Sequence, residues 1–152
     1  PTSGEIIFEN QKFSSLSDYD IDIIRSENFG FIFQKLHLIQ HLNVEQNIKL
    51  AQTKNVDLDI DETLKELGLY KKKKETVRNL SLGEAQRVAI ARGVANNPKV
   101  IFADEPTSSL DDTNAKKVID LIFKLKNKKK ISLILSTHDK RMEKYFSKII
   151  KM

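Results

Sequence analysis

The sequence predicts an α/β domain with a parallel sheet, and three features of its second half lead to this prediction. Val100–Ala103 is a short apolar segment typical of a strand, and the acids Asp104 and Glu105 close it. Asp112–Lys126 follows with the pattern of a helix. Ile131–Leu135 is an apolar strand of the kind that is buried on both faces of a parallel sheet. A chain that alternates strand, helix and strand is typical of an α/β fold.

The first part of the chain predicts two strands separated by a helix. Gly4–Phe8 is the first strand, and Gly30–Phe33, which is apolar and aromatic, is the second. Asp18–Glu27 between them predicts a short polar helix, because Ile21 and Ile24 lie on one side of it.

Two helices are predicted in the middle of the chain. Asn43 caps the first, which runs through Leu50, and Gln46 completes a capping box with it. The second runs from about Ile60 to Leu67 and is stopped by Gly68. Its apolar stripe consists of Ile60, Leu64 and Leu67.

The helices of the second half have clear boundary signals. Ser81 opens a long helix that reaches about Asn96, and Pro98 ends it. A last helix is predicted near Lys140–Phe146, followed by a strand at Ile149–Met152. The helix after Val100–Ala103 has an apolar stripe formed by Ala115, Val118, Ile119, Ile122 and Leu125.

The composition fits one soluble globular domain of 152 residues, with 31% charged and 39% hydrophobic residues. The absence of cysteine excludes disulfides, thiolate zinc sites and cysteine nucleophiles. No apolar run approaches the roughly 18–20 residues that span a bilayer, and the start of the chain lacks a secretory signal. The net charge of +5 lies partly in two lysine runs, 71–74 and 128–130, without interleaved aromatic residues. We interpret these runs as solvated loops and expect no nucleic-acid partner.

Asp104 and Glu105 are the first candidate catalytic pair. A strand that ends in two carboxylates places them at the carboxyl edge of the sheet, where ligands of α/β proteins bind. Mg²⁺ prefers oxygen ligands and is usually held by one or two carboxylates plus phosphates. Asp104 can therefore hold magnesium, directly or through water, while Glu105 polarises an attacking water. The alternative is an aspartate that caps the next turn beside a solvated glutamate.

Three other places carry candidate residues, each with a structural alternative. Ser81 and Glu84 form a capping box, but the same helix start, with Gly83 in it, presents amides that attract phosphate. His138 follows a buried strand and can donate to a phosphoryl oxygen, or it can simply begin a helix. Gln34 ends a strand and can orient water or contact a metal, or it can be an exposed polar residue.

Taken together, these stretches resemble an ATP-binding cassette (ABC) ATPase. They occur in the family's order, as Gly30–Gln34, Leu80–Arg87, Ile101–Asp111 and Thr137–Asp139. Leu80–Arg92 closely resembles the family's signature motif with its helix, and Ala103–Asp111 resembles its Walker B strand and D-loop. Gly30–Gln34, with the following Leu38 and the segment 44–48, is most similar to the lipoprotein-release, macrolide-export and cell-division type.

The resemblance implies a P-loop NTPase (RecA-like) parallel-sheet core at residues 1–34 and 86–152. A small helical subdomain at residues 35–85 would dock on a transmembrane partner. Gln34 would be the Q-loop residue, which senses nucleotide, contacts its metal and couples the nucleotide to the membrane partner. Asp104 would serve Mg²⁺, Glu105 the attacking water, and His138 the γ-phosphate of ATP. Catalysis of this kind is mostly positioning and charge neutralisation.

The resemblance also implies a homodimer that sandwiches the nucleotide. Ser81, Gly83 and Glu84 would bind the nucleotide held by the opposite subunit, and Asp111 would be the D-loop acid between the two. The partners would be transmembrane permease subunits, which places the protein in the cytoplasm, peripheral on the inner face of the membrane.

Two residues depart from the family's signature. Leu82 stands where the first glycine is usual, and Glu84 replaces the final glutamine. Glutamate keeps the capping box. A branched side chain disfavours a positive φ, so signature function would suffer if Leu82 had to be left-handed.

The phosphate cradle of such an enzyme is missing from these residues. No G-x-x-x-x-G-K-[ST] motif is present, whereas Pro1–Ile6 resembles the segment after the P-loop helix. We therefore expect a chain truncated at its N-terminus, without its Walker A part, that neither binds ATP tightly nor hydrolyses it. We also expect strand Val100–Ala103 to lose a neighbour and an apolar face to open.

Other functions remain open at this stage. A chromosome-associated ATPase would use the basic charge on DNA, but the segment between Gln34 and Leu80 is too short for its coiled-coil arms. A soluble ABC protein acting on ribosomes is a further alternative. A degenerate, non-hydrolysing binding module is disfavoured by the presence of Asp104, Glu105 and His138 together.

Overall fold

The computed structural model describes residues 3–53, 59–108 and 110–150. It begins with an antiparallel hairpin of β1 (Ile7–Phe8) and β2 (Gln11–Lys12). The turn residues Glu9 and Asn10 both have positive φ, as the two-residue turns that match strand twist require. The predicted strand Gly4–Phe8 is thus correct only at its end, because the hairpin turn sets where pairing starts.

The first helix and the strand after it follow directly on one another. Helix α1 (Asp18–Asn28) is capped by Ser17 and leads without a loop into β3 (Phe29–Ile32). The helix prediction is confirmed, and Ile21 and Ile24 are its half-buried side. The predicted strand Gly30–Phe33 is shifted by one residue.

A three-stranded parallel sheet forms the centre of the fold. Its order is β3, β4 (Val100–Asp104), β5 (Ser132–Ser136), with Ile32 paired to Ala103 and Asp104 paired to Ser136. The parallel sheet confirms the α/β prediction. The expectation that Val100–Ala103 lacks a neighbour is wrong, because β4 pairs on both sides and β5 lies at the edge of the described sheet.

The two faces of the sheet differ in burial. Ile32, Ile101 and Ala103 belong to the buried core that also includes the apolar sides of the later helices. On the opposite face Phe31 and Phe102 stack at 5.5 Å between ring centroids and are half-buried, and Ile134 is 55% exposed. The prediction that Ile131–Leu135 is buried on both faces is therefore wrong. The edge strand β5 packs against the core with one face only, on the side of Leu133 and Leu135. The apolar side chains of the other face are partly exposed, as expected.

The middle of the chain forms two short helices. Helix α2 (Val44–Lys49) has the predicted Asn43–Gln46 capping box, and α3 (Ile60–Glu66) ends before Gly68, whose φ is +65°. The predicted stripe of α3 is buried. Short 3-10 helices at Tyr70–Lys72 and Val77–Asn79 lead to the next long helix.

The first lysine run lies among carboxylates. Lys73 contacts Asp61 at 2.6 Å, and Lys74 contacts Glu45. Lys72 approaches Glu84 at 3.7 Å. Part of the positive charge of this run is therefore compensated locally.

Two long helices complete the core. Helix α4 (Leu82–Gly93) ends three residues before the predicted Asn96, and α5 (Asp112–Lys129) extends past the predicted Lys126. All five residues of the predicted α5 stripe are buried. Gly93 approaches Gly30 of β3 so closely that the helix packs on the strand without a side chain between them.

The C-terminal predictions were less accurate. Lys140–Tyr145 is a 3-10 helix rather than an α-helix. Ile149 and Ile150 form no strand, and the rest of the predicted last strand lies outside the described residues. No helix in the described part of the chain is both long and apolar enough to cross a membrane.

Candidate active site

The carboxylate of Glu105 lies at the carboxyl edge of the sheet and is held by hydrogen bonds on both of its oxygens. It follows β4, and its Oε1 accepts from the backbone N–H of His138 at 2.8 Å and contacts His138 Nδ1 at 2.6 Å. Its Oε2 accepts from the Thr137 hydroxyl at 2.9 Å. Because β4 and β5 are parallel neighbours, Glu105 and His138, which follow them, lie side by side at the carboxyl edge of the sheet.

The surroundings of Glu105 favour its ionised form. Burial has the largest influence and raises its pKa, but the hydrogen bonds from His138 and Thr137 together outweigh burial, so the pKa lies below its usual value. An ionised carboxylate only accepts hydrogen bonds. Glu105 is therefore an ionised acceptor at neutral pH, which can orient and polarise a water molecule.

Glu105 also has an uncommon backbone. Its φ is +45°, a left-handed conformation that non-glycine residues seldom adopt. Its N–H donates to Ser136 O at 2.9 Å, which continues the β4–β5 pairing by one residue. This turn points the side chain across the end of β5 toward His138.

Asp104 and Gln34 lie at the same edge of the sheet and are both exposed. Asp104 is the last residue of β4, and Gln34 comes two residues after the end of β3, the strand parallel to β4. Within the described residues no group of three or more metal-ligating side chains occurs. Asp104 thus offers one exposed carboxylate without a hydrogen bond to another described side chain, which fits a Mg²⁺ ion that takes its other ligands from phosphate and water.

A second set of side chains, which the sequence did not single out, lies behind this edge. Asp139, nine-tenths buried, accepts from the Thr107 hydroxyl at 2.9 Å and from Arg141 Nη2 at 2.7 Å. The hydrogen bonds of Arg141 hold the pKa of Asp139 well below its usual range, although burial opposes this. The only sequence signal for the set is that Asp139 follows His138 and caps the next turn.

The signature residues lie at the start of α4. Ser81 Oγ accepts from Glu84 N at 3.3 Å, and Glu84 Oε2 accepts from Ser81 N at 2.9 Å, so the predicted capping box is present. Leu82 and Gly83 belong to the helix and have no positive φ, and Leu82 is 51% exposed. Leu82 therefore does not need a left-handed backbone at this position.

Asp111 lies close to this helix start through its neighbour Asn114. It caps α5 by accepting from Asn114 N at 3.0 Å and from Asn114 Nδ2 at 2.6 Å, and these bonds lower its pKa. A Cβ placed on Gly83 would lie 3.9 Å from Asn114 Oδ1. Gln86 of α4 ties the same helix to the segment after β4, donating to Pro106 O at 3.0 Å.

The predicted residues therefore form two groups. Gln34, Asp104, Glu105 and His138 share the carboxyl edge of the sheet, and the last two are in direct contact. Ser81, Gly83, Glu84 and Asp111 lie at the starts of α4 and α5. No hydrogen bond of the described residues joins a member of one group directly to a member of the other.

Comparison with known sequences points to one family. The family described as "ABC transporter" matches residues 1–108. An uncharacterized ABC transporter ATP-binding protein of Methanocaldococcus jannaschii, MJ1508, is 40% identical over 158 residues, covering all of this chain and 70% of its own length. The lipoprotein-releasing system ATP-binding protein LolD of Buchnera aphidicola is also 40% identical, with 69% of its length covered. The predicted resemblance to the lipoprotein-release type is confirmed.

Solved structures agree with the sequences. The dimeric ATP-binding cassette MJ0796, bound to ADP and Pi, superimposes with a TM-score of 0.79 at 33% identity, over 95% of this chain and 67% of that one. CbiO1 from Clostridium perfringens, part of the cbiONQ transporter complex, gives 0.77 at 31% identity over 91% of this chain and 57% of its own. The predicted P-loop NTPase core is thereby confirmed, and the chain belongs to the ABC transporter family.

Proposed function

We propose that the chain supplies the residues that hydrolyse ATP in an ABC transporter ATPase, in which two copies enclose Mg-ATP. The observation that carries this proposal is the contact between Glu105 and His138, at 2.6 Å, directly after the exposed carboxylate of Asp104. A half-buried, ionised carboxylate beside an exposed histidine and an exposed acid suits phosphoryl transfer to water. Nothing in the folding of the sheet requires these three residues together.

Each group has a role that its surroundings support. Glu105 orients and deprotonates the attacking water, because its carboxylate is ionised and held by Thr137. His138, with a side chain 82% exposed, can hold Glu105 with Nδ1 and donate from Nε2 to the γ-phosphate when its ring is doubly protonated. Asp104 and Gln34 serve Mg²⁺, which neutralises charge on the phosphates when bound.

The second copy would complete the site from the starts of α4 and α5. Ser81, Gly83 and Glu84 form the first turn of α4, where amides and the helix dipole favour an anion. Gly83 leaves room beside Asn114, because a Cβ at this position would meet no atom nearer than 3.8 Å. Asp111 lies beside this turn and would contact the partner copy. The dimeric structures of one relative, MJ0796, support this arrangement.

The segment 35–85 would dock on the membrane subunits. It borders an open groove of about 530 Å³ that lies between the residues after β3 and the start of α4. The groove is lined mainly by apolar side chains, among them Leu36, Leu38, Val77, Leu80 and Leu82. Docking there would place the protein in the cytoplasm at the inner face of the membrane. A segment of a permease that enters this groove would contact residues next to Gln34.

The test is Glu105→Gln in a full-length subunit, meaning one that carries a glycine-rich phosphate loop in addition to these residues. Hydrolysis should fall by orders of magnitude while an ATP-bound dimer accumulates, which size-exclusion chromatography detects. Normal turnover would remove Glu105 from the mechanism.

Isothermal titration of the 152-residue chain with Mg-ATP should show no tight binding, because the loop motif is missing from its sequence. Micromolar affinity would overturn that expectation.

A further inference from the structure

A chain of hydrogen bonds begins at Arg141 and reaches two separate elements. Arg141 Nε donates to both oxygens of Asp139, at 2.8 and 3.0 Å, and Nη2 donates to Oδ2 at 2.7 Å. Its Nη1 donates to Asp112, the first residue of α5. A planar guanidinium fork can hold two carboxylates in a fixed relation. Arg141 therefore connects the start of α5 with the loop after β5.

The same chain continues from Asp139 to the carboxylate of Glu105. The backbone N–H of Asp139 donates to Thr137 Oγ1 at 3.0 Å. Because that hydroxyl accepts from Asp139, its own proton is directed at Glu105 Oε2, 2.9 Å away. The buried hydroxyl of Thr107 holds the side chain of Asp139 from the other side. The orientation of Glu105 thus depends on where Asp139 is held.

We propose that Arg141 is a positioning residue for Glu105, which makes the orientation of this carboxylate follow the first turn of α5. This inference rests on the proposed function, because Asp111, immediately before α5, is the residue placed there against the second copy. A contact at Asp111 shifts the start of α5, and Arg141 passes the shift through Asp139 and Thr137 to Glu105.

The inference is tested in the full-length subunit with Arg141→Ala and Arg141→Lys. We expect Arg141→Ala to lower kcat about tenfold while KM for Mg-ATP changes less than about twofold. A misplacement of 1 Å can cost about a hundredfold, and Glu105 should move less than this because His138 still holds it. Arg141→Lys should recover part of kcat, because one ammonium can hold only one of the two carboxylates well. If Arg141 only stabilised the fold, Arg141→Ala would leave kcat per folded subunit unchanged.

Lys128→Ala is the matched control. Lys128 also bridges two carboxylates, Glu62 at 2.9 Å and Glu66 at 2.7 Å, but at the other end of α5. We expect this variant to keep the kcat of the wild type. Asp112→Ala should lower kcat less than Arg141→Ala does, and the double variant should be no slower than Arg141→Ala alone, because both changes break one connection.

Unchanged kcat in Arg141→Ala, or a raised KM with kcat unchanged, would overturn the inference. A second measurement separates it from the proposed function. In the 152-residue chain, Arg141→Ala should displace the backbone amide resonances of Thr137 and His138, whereas Lys128→Ala should not. If these resonances stay in place, the connection is refuted even where ATP is hydrolysed. If the wild-type subunit hydrolyses no ATP, the proposed function fails while displaced resonances still support the connection.

Discussion

Replacing Gly30 by alanine tests the close packing of β3 against α4. A Cβ at Gly30 would lie 2.0 Å from the carbonyl oxygen of Gly93 and 3.0 Å from Cγ of Pro98. Real Cβ atoms are essentially never found nearer than 3.0 Å to such an atom, so strand and helix must separate by about 1 Å. The obstacle is backbone, which cannot rotate away as a side chain can.

The expected cost is about 2–3 kcal/mol. Overpacking of a core typically costs about 1–3 kcal/mol, and this contact belongs at the upper end because neither partner is flexible. Replacing a glycine within a strand offsets part of that, by roughly 0.5–1 kcal/mol. Such a loss is a large fraction of the stability of a domain of this size, which is about 5–15 kcal/mol.

Urea unfolding followed by circular dichroism measures this loss. With an m-value of about 1–3 kcal/mol/M, the midpoint of Gly30→Ala should fall by roughly 1–2 M without a change in slope. Gly83→Ala is the matched control, since its Cβ would meet nothing nearer than 3.8 Å and its backbone is helical. We expect this variant to be unchanged or up to about 1 kcal/mol more stable. Equal midpoints for Gly30→Ala and the wild type would refute the close approach.

Three other predictions concern the middle of the chain and the signature turn. Gly68→Ala should cost about 1–2 kcal/mol, because φ is +65° although no atom lies within 4 Å of the new Cβ; an unchanged unfolding midpoint would contradict this. Hydrogen bonds from Lys49 and Lys74 lower the pKa of Glu45 from 4.5 to about 2. The stabilisation that the ionised carboxylate gives to the folded state is therefore fully present above pH 4.5 and is lost as the pH falls toward 2. Glu45→Gln should therefore be about 1 kcal/mol less stable than the wild type at pH 7, a modest loss because water screens both lysines. This difference in the free energy of unfolding should vanish near pH 2. A difference that stays constant across this range would count against the ion pairs. Leu82→Gly should destabilise the chain by no more than about 1 kcal/mol, because Leu82 is half exposed in a helical backbone; a larger loss in urea unfolding would mean that its side chain is packed.

Local signals predicted the helices well. Both capping boxes, at Asn43 and Ser81, are present as expected, and so are the apolar stripes of α3 and α5. These features depend on side chains three or four residues apart, which the sequence places together whatever the rest of the fold does. The alternation of strands and helices predicted the α/β core, and the family motifs added the order of the candidate site residues along the chain.

Burial and contacts across the chain were predicted less well. Ile134 is exposed because β5 lies at the edge of the described sheet, a fact that depends on strand order and not on the apolar character of the segment. The predicted loss of a neighbour by β4 failed for the same reason. The role of Asp139 was missed because its partners, Thr107 and Arg141, lie in different loops and have no fixed spacing.

The sequence by itself determined which residues are candidates for a site, where the helices begin and which family the chain resembles, because each of these depends on short local patterns. Only the tertiary structure decided that β4 is the central strand and that the carboxylate of Glu105 is held by His138 and Thr137. The physical reason is the parallel pairing of β4 and β5, which brings together residues more than 30 positions apart along the chain.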